Sequence, residues 1–220
     1  DIHLTLAVAQ KSQMDPREYL PFLQSLLDEE PLRRKFMIDD YLKNYEQAIE
    51  HLAEIDKATN TVSEEFIEYV EDHELFKYAL NIFKSEPARQ NIIYHIFAKN
   101  LSSKQMYGEA GIIHEMLGEF KEALDAYTLG KKWNEAMSIV LSHFPEKKVE
   151  VAEELVSSLS FDHKYVDAAQ IEIRFLKNIK EGMSLLCKAY DYEAATLIAV
   201  CENHPELIEE VVDPALGDGF

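Results

Sequence analysis

An aromatic residue followed three positions later by alanine occurs seven times in this sequence of 220 residues. The copies are Tyr45 with Ala48, Phe76 with Ala79, Tyr107 with Ala110, Phe120 with Ala123, Trp133 with Ala136, Tyr165 with Ala168, and Tyr192 with Ala195. Residues three apart lie one helical turn from each other on the same face, so each copy predicts a helix. The small alanine beside the large ring lets the next helix approach closely.

The spacing of the copies indicates how these helices are arranged. Successive aromatic residues are 31, 31, 13, 13, 32 and 27 positions apart. A helix of about 10 to 12 residues with a short turn occupies the interval of 13, and a helix pair occupies the ~34 residues of a tetratricopeptide-type repeat. We therefore predict an all-α fold, an α-solenoid of antiparallel helix pairs with tetratricopeptide-like repeats. Each pair then buries its apolar stripe by stacking on its neighbours.

The pattern is clearest between residues 117 and 137, where two glycines follow apolar runs. Gly118 and Gly130 stand 12 residues apart, each at the position where a left-handed residue ends a helix. Two ordinary capped helices would carry the same glycines, but the fixed offset favours a repeat. We predict a left-handed cap at both glycines, and we expect Phe120 and Trp133 to be largely buried between adjacent helices.

Helix boundaries can be predicted elsewhere from caps and prolines. Asp15 and Pro16 supply a cap and a first-turn proline for a helix running to about residue 28. Pro21 alternatively restarts this helix one turn later. Thr61 and Glu64 have the spacing of a capping box, so we predict that Thr61 caps the next helix, after a loop at residues 56–62. Further boundaries are predicted at Glu86-Pro87, Phe144-Pro145 and His204-Pro205.

On this basis we divide the chain into residues 1–60, the first helical repeats, and residues 61–220, a continuing helical array. The chain does not begin with methionine, and its last residues follow closely after a predicted helix. We therefore expect it to be a fragment of a longer protein, truncated at the C-terminal end of the array.

Composition narrows the classes of partner. The 41 acidic residues against 22 basic ones give a formal net charge of −19, which repels phosphate backbones. We therefore expect no direct nucleic-acid binding. The two cysteines, Cys187 and Cys201, lack zinc-site spacing and fit a reducing compartment. No apolar run reaches the ~18 residues of a membrane span. We expect a cytoplasmic location, with the nucleus left open, and no membrane association.

Motifs that carry chemistry are weak in this sequence. His114 and Glu115 begin like a zinc-protease helix, but the second ligand position holds Gly118. Cys201 and His204 lie one helical turn apart and could form a thiolate pair, although no third orienting group accompanies them. We predict that the chain is not an enzyme, and we assign no catalytic, cofactor-binding or metal-binding residue and no cofactor.

Clusters of like charge have two interpretations. The acidic clusters are Asp28-Glu29-Glu30, Glu71-Asp72-His73-Glu74 and Glu209-Glu210; the basic stretches are Arg33-Arg34-Lys35, Lys131-Lys132 and Lys147-Lys148. The acidic clusters can be solvated helix faces, or they can bind a hard cation or a basic partner. The basic stretches lack the length and aromatic interleaving of a single-strand nucleic-acid path, and we interpret them as ordinary surface.

Several stretches resemble the helical-repeat region of the largest subunit of the Elongator complex. The most specific are DPREYLPFL at residues 15–23 and IDDYLKNYEQAIEHL at residues 38–52. Further ones are YGEAG at residues 107–111, GEFKEALDA at 118–126, WNEA at 133–136 and VDP at 212–214. The resemblance covers nearly the whole chain and is weakest over residues 53–100.

The resemblance implies a scaffold subunit without an active site. In that family two N-terminal β-propellers precede a long helical array, which supports the catalytic acetyltransferase and radical-SAM subunit in tRNA wobble-uridine modification. The expected partners are thus other Elongator subunits, including the catalytic one. The full-length protein is expected to form a homodimer through helices largely beyond this segment. A vesicle-coat or transport-type solenoid is the alternative, since coat proteins use similar helix pairs.

Overall fold

The computed structural model describes residue 11, residues 15–57 and residues 62–218. Among these residues there is no strand, and fourteen helices have described bounds. The chain divides into two compact units, residues 1–100 and residues 101–220. The predicted division after residue 60 falls on residues 58–61, which lie outside the described residues, and it stays a prediction.

The first unit contains α1 to α5 and most of α6. The bounds are α1 Pro16–Asp28, α2 Pro31–Tyr41, α3 Tyr45–Lys57, α4 Glu64–Asp72, α5 Phe76–Ile82 and α6 Pro87–Ser103. The predicted cap of α1 is confirmed, because Asp15 Oδ1 accepts a hydrogen bond from Arg17 N at 2.9 Å. Pro21 lies inside α1 and does not restart it.

The second unit contains eight further helices with described bounds. These are α7 Tyr107–Leu117, α8 Phe120–Leu129, α9 Trp133–His143, α10 Lys148–Phe161, α11 Tyr165–Ile171, α12 Ile179–Lys188, α13 Tyr192–Cys201 and α14 Asp213–Asp218. A 3-10 turn at Pro145–Lys147 precedes α10, and π-helical turns cover Glu172–Leu176 and Ile208–Val212. All three boundaries predicted at prolines are confirmed.

Helices that are consecutive in the sequence pack on each other within each unit. In the first unit α2 packs on α3, and in the second α7 packs on α8 and α11 packs on both α10 and α12. The prediction of an all-α solenoid of consecutive helix pairs is therefore confirmed.

All seven copies of the motif have the same structure. Each aromatic residue is the first residue of a helix, and each alanine is 0% exposed. The alanine N–H donates to the carbonyl oxygen just before the aromatic residue at 2.9–3.2 Å, the first hydrogen bond of the helix. The alanine therefore packs in the core, and the aromatic residue stands one turn earlier on the same face, at the first position of the helix.

The turn that precedes each aromatic residue is also the same. The residue two positions earlier has a positive φ in all seven copies: Lys43, Glu74, Gln105, Gly118, Lys131, His163 and Tyr190. The N–H of the next residue donates to the carbonyl five residues back at 2.8–3.0 Å, and the N–H of the left-handed residue itself donates three residues back. These two bonds define a Schellman motif, which satisfies the last carbonyls of the preceding helix.

The prediction of two left-handed glycines is half right. Gly118 has a φ of 77° and is left-handed, but Gly130 has a φ of −77°, and the left-handed residue of its turn is Lys131 at 54°. Gly130 has a steric role instead. A Cβ at this position would lie 3.0 Å from Tyr107 Cβ and 3.3 Å from Gly108 N, so glycine allows the ends of α7 and α8 to meet.

Two further expectations need correction. The cap of α4 is Ser63 rather than Thr61, because Ser63 Oγ accepts from Phe66 N at 3.1 Å; Thr61 lies outside the described residues. Trp133 is 7% exposed, as expected, but Phe120 is only partly buried. Its ring stacks on His143, with centroids 3.6 Å apart.

A buried polar cluster fixes the end of α3 in the first unit. Asp56 Oδ2 accepts hydrogen bonds from Ser63 N at 2.8 Å and from Ser63 Oγ at 3.0 Å. Arg89 donates to the Asp56 carbonyl oxygen at 3.2 Å and pairs with Glu86 at 3.2 Å. Since buried charges are tolerated only when paired, this cluster joins the starts of α4 and α6 to the end of α3.

Candidate interaction surface

Three tyrosines of the second unit line one surface. Tyr165 begins α11, Tyr192 begins α13, and Tyr190 lies in the turn between α12 and α13. Two neighbouring clefts, of about 420 and 410 Å³, both include Tyr165, Tyr190 and Lys188 in their walls. Because the motif places an aromatic residue at every other helix start here, the solenoid itself brings Tyr165 and Tyr192 to one surface, and the turn before Tyr192 adds Tyr190. We call it the tyrosine surface.

Tyr190 is the most exposed of the three tyrosines, at 78%. Its φ is 62°, a left-handed conformation that costs a residue with a side chain roughly 1–2 kcal/mol. The Schellman bonds hold it there, with Tyr190 N donating to Cys187 O at 2.9 Å. Its ring meets Tyr192 edge to face at 6.5 Å. A large exposed ring in a fixed backbone is typical of the residues that anchor protein interfaces.

The other two tyrosines have hydrogen-bonded hydroxyls. The Tyr165 hydroxyl lies 2.8 Å from His163 Nδ1, and the Tyr192 hydroxyl donates to the Ala215 carbonyl oxygen at 3.4 Å. Both rings are partly buried and pack against the core of the second unit. These contacts fix the ring orientations, so the tyrosine surface is pre-organised.

The cysteines do not form a reactive pair. Cys187 is buried beside the tyrosine surface, and burial raises the pKa of its thiol, which keeps it neutral near pH 7. Cys201 is exposed, and His204 Nδ1 lies 2.9 Å from Glu206 Oε1. The described contact of His204 is thus with the Glu206 carboxylate. This hydrogen bond lowers the pKa of Glu206.

His114 and Glu115 tie α7 to α8. His114 Nδ1 lies 2.9 Å from Glu119 Oε2, and the Tyr127 hydroxyl donates to Glu115 Oε2 at 2.9 Å. Burial and the hydrogen bond to Glu115 raise the pKa of Tyr127. Both residues of the zinc-like pair therefore have structural partners. In the described part of the chain, no group of three or more histidine, cysteine, aspartate or glutamate side chains could hold a metal ion.

The charged clusters lie both within helices and in the turns between them. Asp28, Glu29 and Glu30 are exposed where α1 joins α2, and Glu210 pairs with Lys180. His73 stacks on Tyr45, with ring centroids 3.9 Å apart.

None of the described helices is both long and apolar enough to cross a membrane.

The tyrosine surface was not predicted from the sequence. Tyr190 belongs to no copy of the motif, and its contribution depends on the turn that holds it. A signal was present, because Tyr190 lies two residues before the motif aromatic Tyr192. The position two residues before each motif aromatic is always the left-handed turn residue, and the tyrosine at this position is 78% exposed.

Comparison with known proteins places the chain in a family. Residues 33–196 match the family described as ELP1 TPR domain. Elongator complex protein 1 of Saccharomyces cerevisiae is 60% identical over 220 residues, and that of Schizosaccharomyces pombe is 35% identical over 222; both alignments cover 100% of this chain.

A more distant relative aligns over almost the same length of this chain. Elongator complex protein 1 of Mus musculus is 29% identical over 218 residues, or 98% of this chain. The chain spans only 16–17% of the length of these three relatives. Since the match to the ELP1 TPR domain family covers residues 33–196, three quarters of the chain, the coat alternative is not favoured. The chain belongs to the ELP1 TPR domain family.

Proposed function

We propose that this chain is a non-catalytic scaffold segment of an Elongator complex, which docks other subunits on its helical surface. The observation that carries the proposal is the tyrosine surface, in which the exposed ring of Tyr190 lies beside two partly buried, hydrogen-bonded tyrosines, in a chain of the ELP1 TPR domain family. Rigid aromatic residues contribute strongly to binding because they bury much area at a small entropic cost.

The partners follow from what the relatives are called. Their name is Elongator complex protein 1, so the partners proposed for this chain are other Elongator subunits. Among them we include the catalytic acetyltransferase and radical-SAM subunit, which the scaffold would hold for modification of the tRNA wobble uridine. We further propose that the full-length protein forms a homodimer through helices largely beyond this segment. We propose the cytoplasm as its location, with the nucleus as a second location.

The charge of the chain supports protein partners over tRNA. The net charge of −19 opposes phosphate binding, so any tRNA contact would be made by other parts of the assembly. The described helices serve to space and orient the partners that bind them.

Co-purification with purified Elongator subunits tests the proposal. We expect the tagged chain to retain the catalytic subunit, and the change Tyr190→Ala to reduce the retained amount at least about tenfold, as for an interface anchor. Tyr78→Ala is the matched control, because Tyr78 is an exposed tyrosine of the first unit. Retention of no Elongator subunit by the unaltered chain would contradict the docking function. Equal loss with both variants would argue against the tyrosine surface.

A further inference from the structure

A further cleft, which we call the acidic cleft, lies between α8 and α10, away from the three tyrosines. Its volume is about 470 Å³. Leu124 and Val151 are almost fully buried at its base, and Leu129 at the end of α8 is 63% exposed. An exposed leucine beside a concave apolar base can receive one apolar side chain of a partner.

Acidic side chains surround the apolar floor of the cleft. Asp125, Glu150 and Glu154 line the cleft, and the one basic residue in its lining is Lys147. Within the described part of the chain, none of the three carboxylates forms an ion pair. The Lys147 ammonium lies 5.8 Å from the centroid of the Phe144 ring, which engages the one positive charge in a cation–π contact. Because three carboxylates line the cleft against one ammonium, the cleft has a net negative charge, and its concave shape concentrates the field.

We propose that this cleft binds a basic amphipathic helix of a partner protein. An apolar side chain of that helix would cover Leu129, while lysine or arginine residues one turn away would face the carboxylates. A groove between two helices suits a helix with anchors on one face. The same charges repel a phosphate backbone, which favours a protein partner over a nucleic acid. The inference rests on the proposed docking function and adds the chemistry of one partner.

Binding of a synthetic helical peptide tests this inference. The probe is a fluorescein-labelled 18-residue peptide of leucine and lysine with its leucines on one face, and the comparison is a permuted peptide of the same composition. We expect fluorescence anisotropy to give a dissociation constant at least about tenfold lower for the amphipathic peptide, and weaker binding as salt rises. Equal affinity for the two peptides would overturn the inference.

Matched variants separate the cleft from the general acidity of the chain. Glu150→Lys with Glu154→Lys should weaken binding of the amphipathic peptide at least about tenfold, and Leu129→Ser about threefold or more. The control is Glu122→Lys with Glu153→Lys, which changes the net charge by the same amount. These two residues lie on α8 and α10, the helices that form the cleft, but outside its lining. An equal loss in the control would show attraction to the whole chain and would overturn the inference. Circular dichroism confirms that each variant is folded.

Amide hydrogen exchange supplies an independent measurement. Bound peptide should slow exchange in residues 124–129 and 147–154 of the unaltered chain, and protection elsewhere only would overturn the inference. The two proposals fail separately. If the chain retains Elongator subunits but does not bind the amphipathic peptide selectively, only the proposal for the cleft is rejected. If it binds the peptide selectively but retains no Elongator subunit, only the Elongator docking function is rejected.

Discussion

The seven motif alanines and their aromatic partners divide the work of packing. Each alanine is 0% exposed, whereas only Phe76 and Trp133 among the aromatic residues are classed with the buried core. Trp133 meets Phe175 edge to face at 6.4 Å, between α9 and the π-helical turn after α11. The Trp133 ring thus joins α9 to the turn that follows α11.

Trp133→Ala should strongly destabilise the second unit. Removing a buried tryptophan loses its transfer free energy and leaves a cavity, so we expect the free energy of unfolding to fall by about 3–5 kcal/mol in urea denaturation. Phe161→Ala is the control, because Phe161 is 85% exposed and its loss should change stability by less than about 0.5 kcal/mol. Similar midpoints for the two variants would contradict the packing described for Trp133.

Glu172 offers a prediction that depends on pH. It is buried in the π-helical turn, and burial followed by the charge of Glu181 raises the pKa of its carboxyl group. The folded state therefore holds the proton more tightly than the unfolded state does. Stability from this group falls as pH rises through its folded-state pKa, and the penalty disappears below the unfolded-state pKa.

Glu172→Gln should therefore stabilise the chain at pH 7 and above. The neutral amide keeps the shape of the side chain and removes the buried charge. Thermal melts of the variant and the unaltered chain should converge as pH falls below the ordinary range of a glutamate. A difference in melting temperature that stays constant from pH 4 to pH 8 would mean that the charge of Glu172 has no part in it.

At the scale of the element, the Schellman turn before each motif aromatic defines the helix pair. Six of its seven left-handed residues are not glycine, so the turn is imposed by pairing of the helices more than by local preference. The sequence predicted a helix at each copy, because ring and alanine lie one turn apart on the same face, but it did not predict that the aromatic residue begins the helix. It could not predict Lys131 over Gly130, since that depends on which residue approaches Tyr107.

The two glycines should respond differently to substitution. Gly118→Ala should cost about 1 kcal/mol through its positive φ alone, because an added Cβ meets no atom within 4 Å. Gly118→Asn should recover part of that loss, since asparagine tolerates the left-handed region. Gly130→Ala should cost about 1–3 kcal/mol by overpacking against Tyr107, and Gly130→Asn should be worse. Urea denaturation of the four variants tests this ranking, and a gain for Gly130→Asn would contradict it.

At the scale of the whole chain, the dominant property is negative charge. A net charge of −19 destabilises a compact state through self-repulsion, and salt screens that repulsion. Composition alone predicted this property. It did not predict the tyrosine surface or the acidic cleft, because both are formed by residues far apart in the sequence that meet only when the helices stack.

Sodium chloride should stabilise the chain over the range in which screening acts. We expect the melting temperature to rise between about 0.01 and 0.15 M salt, where the Debye length falls from about 30 to 8 Å. The control variant Glu122→Lys with Glu153→Lys has a less negative net charge, so its melting temperature should rise less with salt. A melting temperature that is independent of salt would mean that local ion pairs compensate the repulsion.

The left-handed turn residues have one more consequence. Their side chains are lysine, glutamate, glutamine, histidine and tyrosine, besides one glycine, and yet the backbone bonds around them are the same. The backbone of these turns does not depend on which side chain they display. They are therefore suitable sites for engineering, where a new binding residue can be installed on a solenoid without redesigning its helices.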